Sequence, residues 1–107
     1  MRLFSKQQPA IGEIMLADRR PSTQITSHSF GRAAIWRPSK NLWIVGSEET
    51  VLQMMNDHIQ CFNLEKSGTV HQYFSSVIYQ YTRPKDAWRK CRELDYILKS
   101  EYRHGNV

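Results

Sequence analysis

The sequence predicts an α+β fold: an N-terminal antiparallel β-hairpin or meander followed by two or three helices, the last long and amphipathic. Three observations predict it. Residues 32–37 and 42–45 are aromatic and β-branched runs on either side of Pro38-Ser39-Lys40-Asn41, which is a hairpin pattern. Ser47, a good N-cap, precedes Glu48, Glu49 and an apolar stripe at helical spacing. From about Pro84 to Arg103 strong helix formers run towards Gly105-Asn106, which can terminate them.

Taken in order, residues 1–10 give no periodicity and read as a loose lead-in. Ile11, Ile14, Met15 and Leu16 favour a strand, closed by the polar turn Asp18-Arg19-Arg20-Pro21-Ser22. Thr23 to Phe30 is rich in Thr, Ile and Ser and reads as a second, poorly buried strand. The hairpin follows, with Trp36 and Trp43 near its turn on opposing strands, their contact depending on register. Gly46 is expected to break the second strand. The helix capped by Ser47 carries Val51, Leu52, Met55, Ile59 and Phe62 on one face and leaves at Gly68, or earlier near Asn63.

Residues 70–82 are ambiguous. Val70, Tyr73, Phe74, Val77, Ile78 and Tyr81 fit a helical stripe, whereas Val77, Tyr79 and Tyr81 alternate as a strand would; the helix is favoured. Pro84 then starts the last helix, a position that suits its missing N–H. Asp86 and Asp95 precede Lys90 and Lys99 by four residues, a supportive spacing. Ala87, Cys91, Leu94 and Leu98 form its core stripe, flanked by Trp88 and Ile97.

A chain of 107 residues fits a single domain over 1–107, without room for two cores. Its 40% hydrophobic and 11% aromatic content argue against wholesale disorder. No apolar run approaches a membrane span and no signal peptide is visible, so no membrane partner is expected. Cys61 and Cys91 read as buried free thiols of a cytoplasmic protein, with one disulfide as the alternative. A net charge of +5 favours acidic protein surfaces or polyanions.

Charge is patterned as well as abundant. Lys85, Arg89, Arg92, Tyr96, Lys99 and Arg103 recur at spacings of four, three, four, three and four, one band of the last helix opposite its core stripe. Five cations and an aromatic on one band suit an acidic groove or a phosphate backbone; a solvated helix face is the plainer alternative. A second basic group, Arg19, Arg20, Arg32, Arg37 and Lys40, places Arg37 and Lys40 beside the hairpin turn.

Chemistry-bearing constellations are weak. His58 and Cys61 lie one turn apart, but His28, His71, Cys91 and His104 form no second short pair for zinc. Glu48-Glu49 is explained as helix-start charge, Phe30-Gly31-Arg32 matches no phosphate loop, and neither cysteine has a catalytic signature. No catalytic, metal or cofactor-binding residue is therefore assigned.

The expected function is that of a small non-enzymatic protein, binding through its basic C-terminal helix to modulate or inhibit a larger machine, a nucleic-acid-processing one included. Its partner-binding residues would be Lys85, Arg89, Arg92, Tyr96, Lys99 and Arg103, with Arg37 and Lys40. Accessory proteins of phages and mobile elements are often of this kind, an association at the level of type only. The alternative is direct DNA or RNA binding, with the last two helices approximating a helix-turn-helix. The scarcity of Asn and Gln on the exposed helix face argues against base reading there. Oligomeric state is left open.

Overall fold

A computed structural model describes residues 8–60 and 66–103, apart from the side chains of His28, Tyr102 and Arg103. The chain runs β1 (Ile14–Leu16), β2 (Pro21–Ser22), a 3-10 turn (Ser27–Ser29), β3 (Ala33–Ser39), β4 (Leu42–Ser47), α1 (Glu48–Asn56), β5 (Thr69–Tyr73), β6 (Ser76–Tyr81) and α2 (Pro84–Arg103). The strands form one antiparallel sheet in the order β2-β1-β3-β4-β6-β5, and the architecture is α+β.

Helix α1 covers one face and α2 the other, so the middle of the sheet is buried on both sides. This is why β3 and β4 read as continuous apolar runs rather than alternating ones. Side chains alternate between faces. Ile14, Leu16, Ala34, Trp36, Leu42, Ile44 and Ile78 pack with Val51, Leu52 and Met54 of α1. Met15, Ala33, Ile35, Trp43 and Val45 pack with Ala87, Trp88 and Cys91 of α2. Each fully buried Ile or Leu contributes roughly 1.5–3 kcal/mol. Among the described residues no helix is long and apolar enough to cross a membrane.

The hairpin is present with a tighter turn than the sequence suggests. Ser39 pairs with Leu42, leaving Lys40 and Asn41 as the turn, and the register shifts between Trp36 and Ser39. Pro38, which has no ladder N–H to give, sits in that irregular stretch. Trp36 pairs with Ile44, and the two tryptophans therefore face opposite layers. Gly46 does not break β4. It lies within the strand opposite Ala34, where a Cβ would come 3.1 Å from Ile78 Cγ2 and 3.3 Å from Val51 Cγ1. Its role is to let α1 and β6 approach closely.

Four further expectations are corrected. No strand runs from Thr23 to Phe30: only Pro21–Ser22 pairs with β1, and Ser27–Ser29 form a 3-10 turn in which Ser29 N–H donates to Thr26 O at 3.0 Å. Helix α1 stops at Asn56, well before Asn63 or Gly68. His58 takes a left-handed φ of 55°, its N–H donating to Met55 O and the Ile59 N–H to Met54 O, a Schellman closure sealed by Ile59 against the core. Phe62 lies outside the described residues.

The third correction is the largest. Residues 69–81 are a β-hairpin, turning at Phe74 with a φ of 56°. Of the six residues of the helical stripe, only Ile78 is buried, while Val70, Phe74 and Val77 are exposed. The β-branched and aromatic content decided the conformation, and the 3.6-residue spacing was incidental. Fourth, the element before α2 is strand β6, so no helix-turn-helix forms there; α1 and α2 are the two α-helices among the described residues, within the expected two or three. That last helix begins at Pro84 and spans the predicted range. Residues 1–7 of the lead-in lie outside the described residues, while Pro9 is fully buried.

Candidate partner-binding site

Helix α2 is fastened to the sheet by more than its apolar stripe. Ala87, Trp88 and Cys91 are buried, Leu94 and Leu98 pack beside them, and Ile97 faces outward at 41% exposure. Asp95 accepts the N–H of Ala33, the first residue of β3, at 2.9 Å. This satisfies a strand-end donor and fixes the rotation of the helix. Everything on the opposite side of α2 is thereby turned to solvent.

Lys85, Arg89, Arg92, Tyr96 and Lys99 are all exposed on that side, Tyr96 at 76%. The side chain of Arg103 lies outside the described residues. The band is less purely cationic than its sequence spacing implies. Arg89 pairs with Asp86 at 3.4 Å and Lys99 with Asp95 at 2.9 Å. Lys90 reaches Glu93 at 3.8 Å rather than Asp86, and its ammonium lies 4.2 Å from the Tyr79 ring centroid. Lys85 and Arg92 make no ion pair among the described residues.

A groove of about 520 Å³ opens beside the C-terminal half of α2, lined by Ala17, Asp18, Arg92, Asp95, Tyr96, Lys99 and Ser100. One wall is the β1–β2 turn and the other the helix. Three of the eight residues singled out from sequence, Arg92, Tyr96 and Lys99, meet here with two carboxylates. Burial pushes the Asp18 carboxyl up, but hydrogen bonds and charge from Arg20, with the charge of Lys99, outweigh it and hold the group below its usual range. The groove presents acidic and basic side chains around one exposed phenol.

Arg37 and Lys40 are not part of this site. Arg37 donates to Lys40 O at 2.9 Å and to Pro9 O at 3.4 Å, with its guanidinium 5.0 Å from the Trp43 ring centroid. It braces the hairpin turn, and Lys40 projects from the turn itself. The rest of the second basic group is similarly engaged. Arg19 stacks 4.1 Å from the Trp88 centroid, Arg20 pairs with Asp18 at 2.7 Å, and Arg32 pairs with buried Glu48 at 2.7 Å. Sequence spacing missed Asp18 as a groove residue, because only the return of β1 towards β2 brings it beside α2.

Nucleophile and metal candidates acquire structural explanations. His58 closes α1, His71 Nε2 is 3.0 Å from Thr69 Oγ1 on β5, and Cys61, with His104, lies outside the described residues. No group of three metal-ligating side chains occurs among the described residues. Cys91 is fully buried, and desolvation first, then Asp95, pushes its thiol up to about 12 from an ordinary 9.0. Its folded pKa is raised, so the stabilisation it contributes is complete below about pH 9 and is lost as pH rises towards about pH 12. In a C61S variant, Cys91 is expected to resist an aromatic disulfide reagent at neutral pH and to react on addition of denaturant. Rapid labelling of the native protein would contradict this burial.

Comparison with family models, curated proteins and solved structures finds no match to this chain.

Proposed function

We propose that this protein is a non-enzymatic binding module that modulates or inhibits a larger macromolecular assembly by docking an acidic protein surface on the outer face of α2. One observation carries the reading: Tyr96 stands 76% exposed between Arg92 and Lys99 at the mouth of a groove that also holds Asp18 and Asp95. Tyr and Arg are the residue types that dominate protein interfaces, since they supply large contact area and forked hydrogen bonding. A carboxylate of the partner can pair with Arg92, and a partner N–H or cation can meet Asp18.

The mixed signs favour a polypeptide over a phosphate backbone, because Asp86 and Asp95 already pair with Arg89 and Lys99 and leave the band fewer cations to give to phosphates. Direct nucleic-acid binding keeps Lys85 and Arg92 in its favour, as exposed cations without ion pairs among the described residues.

Affinity capture from a lysate of the native host, after nuclease treatment, tests the reading beside nucleic-acid binding at low and high salt. A protein partner is expected to survive nuclease and to be weakened about tenfold by Arg92→Glu, the scale of an exposed interfacial charge, and less by Lys99→Glu. Steeply salt-dependent binding to DNA or RNA, lost in the same variants, with no nuclease-resistant partner, would replace the proposal with the nucleic-acid one.

A further inference from the structure

We propose that this protein pairs with a second copy of itself through the outer edge of β5, so that two sheets join into one across a two-fold axis. The two edges of the sheet are treated differently by the sequence. At one end, β2 is two residues long, contains Pro21 and follows Asp18, Arg19 and Arg20. Shortness, proline and charge each blunt an edge against further pairing. At the other end, β5 is five residues, Thr-Val-His-Gln-Tyr, with none of these devices. No strand pairs with its outer side among the described residues.

The hairpin is also uncharged and apolar. Between Lys66 and Arg83 there is no Asp, Glu, Lys or Arg, in a chain that is 23% charged. Within that stretch Val70 is 61% exposed, Phe74 82% and Val77 48%. Val70 pairs with Tyr79 and Gln72 with Val77, so these side chains share the α2 face of the sheet. There Val77 and Tyr79 adjoin half-buried Leu94 and Leu98 along a groove of about 230 Å³. Helix α2 thus leaves the last strand uncovered, and the apolar surface continues past it to the edge.

Charge selects the occupant. Two copies at +5 each repel over most of their surfaces, and this hairpin is where they can approach without opposing like charges. A strongly charged partner would find no complement here. Antiparallel pairing of a strand with its own copy is self-complementary about a two-fold axis, giving a closed dimer rather than a filament. The interface lies at the opposite edge of the sheet from β1 and β2, leaving the Tyr96 groove open. The dimer therefore does not depend on the function proposed for that groove.

Sedimentation equilibrium from about 1 to about 100 µM tests this, because a dimer's population follows concentration. The wild-type chain is expected to be dimeric at the upper end. Val70→Lys should weaken the dimer at least about tenfold by opposing like charges across the axis. Gln72→Lys, at a second exposed position, repeats the test should the first variant fold poorly by circular dichroism. Arg92→Glu is expected to leave the dimer intact, which separates this result from the groove's partner. A monomer throughout the range, including one whose β5 edge takes up a strand from a different protein, would overturn the proposal. So would a dimer indifferent to both lysine variants.

Discussion

Replacing Glu48 with alanine is expected to destabilise the protein by about 3 kcal/mol, a fall in melting temperature of roughly 10–20 °C for a chain of this size. Glu48 opens α1, yet it is only 2% exposed. One carboxylate oxygen pairs with Arg32 at 2.7 Å, and the other accepts the hydroxyl of buried Ser22. Its own N–H donates to Arg32 O at 3.0 Å. Removing the carboxylate leaves the Arg32 side chain, three-quarters buried, and the buried Ser22 hydroxyl without their acceptor, and that loss costs more than the pair contributes. Glu48→Gln keeps the shape and an acceptor and should cost about half as much. Arg32→Leu combined with Glu48→Leu should be milder than Glu48→Ala alone, because no uncompensated charge remains. Thermal and urea unfolding followed by circular dichroism measure all three. An alanine variant within about 0.5 kcal/mol of wild type would show that water replaces the carboxylate without penalty.

The same glutamate marks how far sequence carries. Ser47 with Glu48 and Glu49 is legible as a helix start, and the cap forms with Thr50 N–H donating to Ser47 Oγ at 3.2 Å. That Glu48 also turns inward to meet Arg32 and Ser22 depends on where β2 and β3 end, which no local pattern encodes. The β3–β4 hairpin and α2 were readable because turn chemistry, propensity and periodicity agree in each. In residues 69–81 they conflict: spacing favours a helix, residue type favours strands, and pairing of β6 with β4 settles it in favour of strands. The left-handed Phe74 at the turn carries no glycine or asparagine to announce it.

Tyr73 shows a related limit. Its hydroxyl donates to Asp57 at the C-cap of α1, and that hydrogen bond pushes the phenol up to about 12 while holding the Asp57 carboxyl below its usual range. The bond fastens the β5–β6 hairpin to the helix across a segment of chain whose sequence alone gave no reason to pair the two. The basic band was legible as geometry, since helical spacing is strict. Its electrostatics were not, because Asp86 and Asp95 neutralise two of its cations and Asp18 enters from another element.

Tyr96→Ala is expected to weaken partner binding about 100-fold while leaving stability within about 0.5 kcal/mol of wild type. The two halves of this expectation follow from one fact. A side chain that is 76% exposed contributes little to the fold, so its ring is available for burial by a partner. Arg92 and Lys99 flank it one turn on either side and can exclude water once the ring is covered, which is how a central aromatic comes to dominate an interface. Tyr96→Phe separates ring from hydroxyl: retention of most affinity assigns the effect to burial, and a loss near that of alanine assigns it to a hydrogen bond made by the phenol. Titration calorimetry with the captured partner reads both. Undiminished affinity in Tyr96→Ala would move the interface off the groove, while a matching loss of melting temperature would make Tyr96 a residue of the fold instead. Because Lys99 is already paired with Asp95 at 2.9 Å, its reversal should cost less affinity than that of Arg92, whose guanidinium has no ion pair to give up among the described residues. That ordering, Tyr96 before Arg92 before Lys99, is what a desolvated aromatic centre with a charged rim requires.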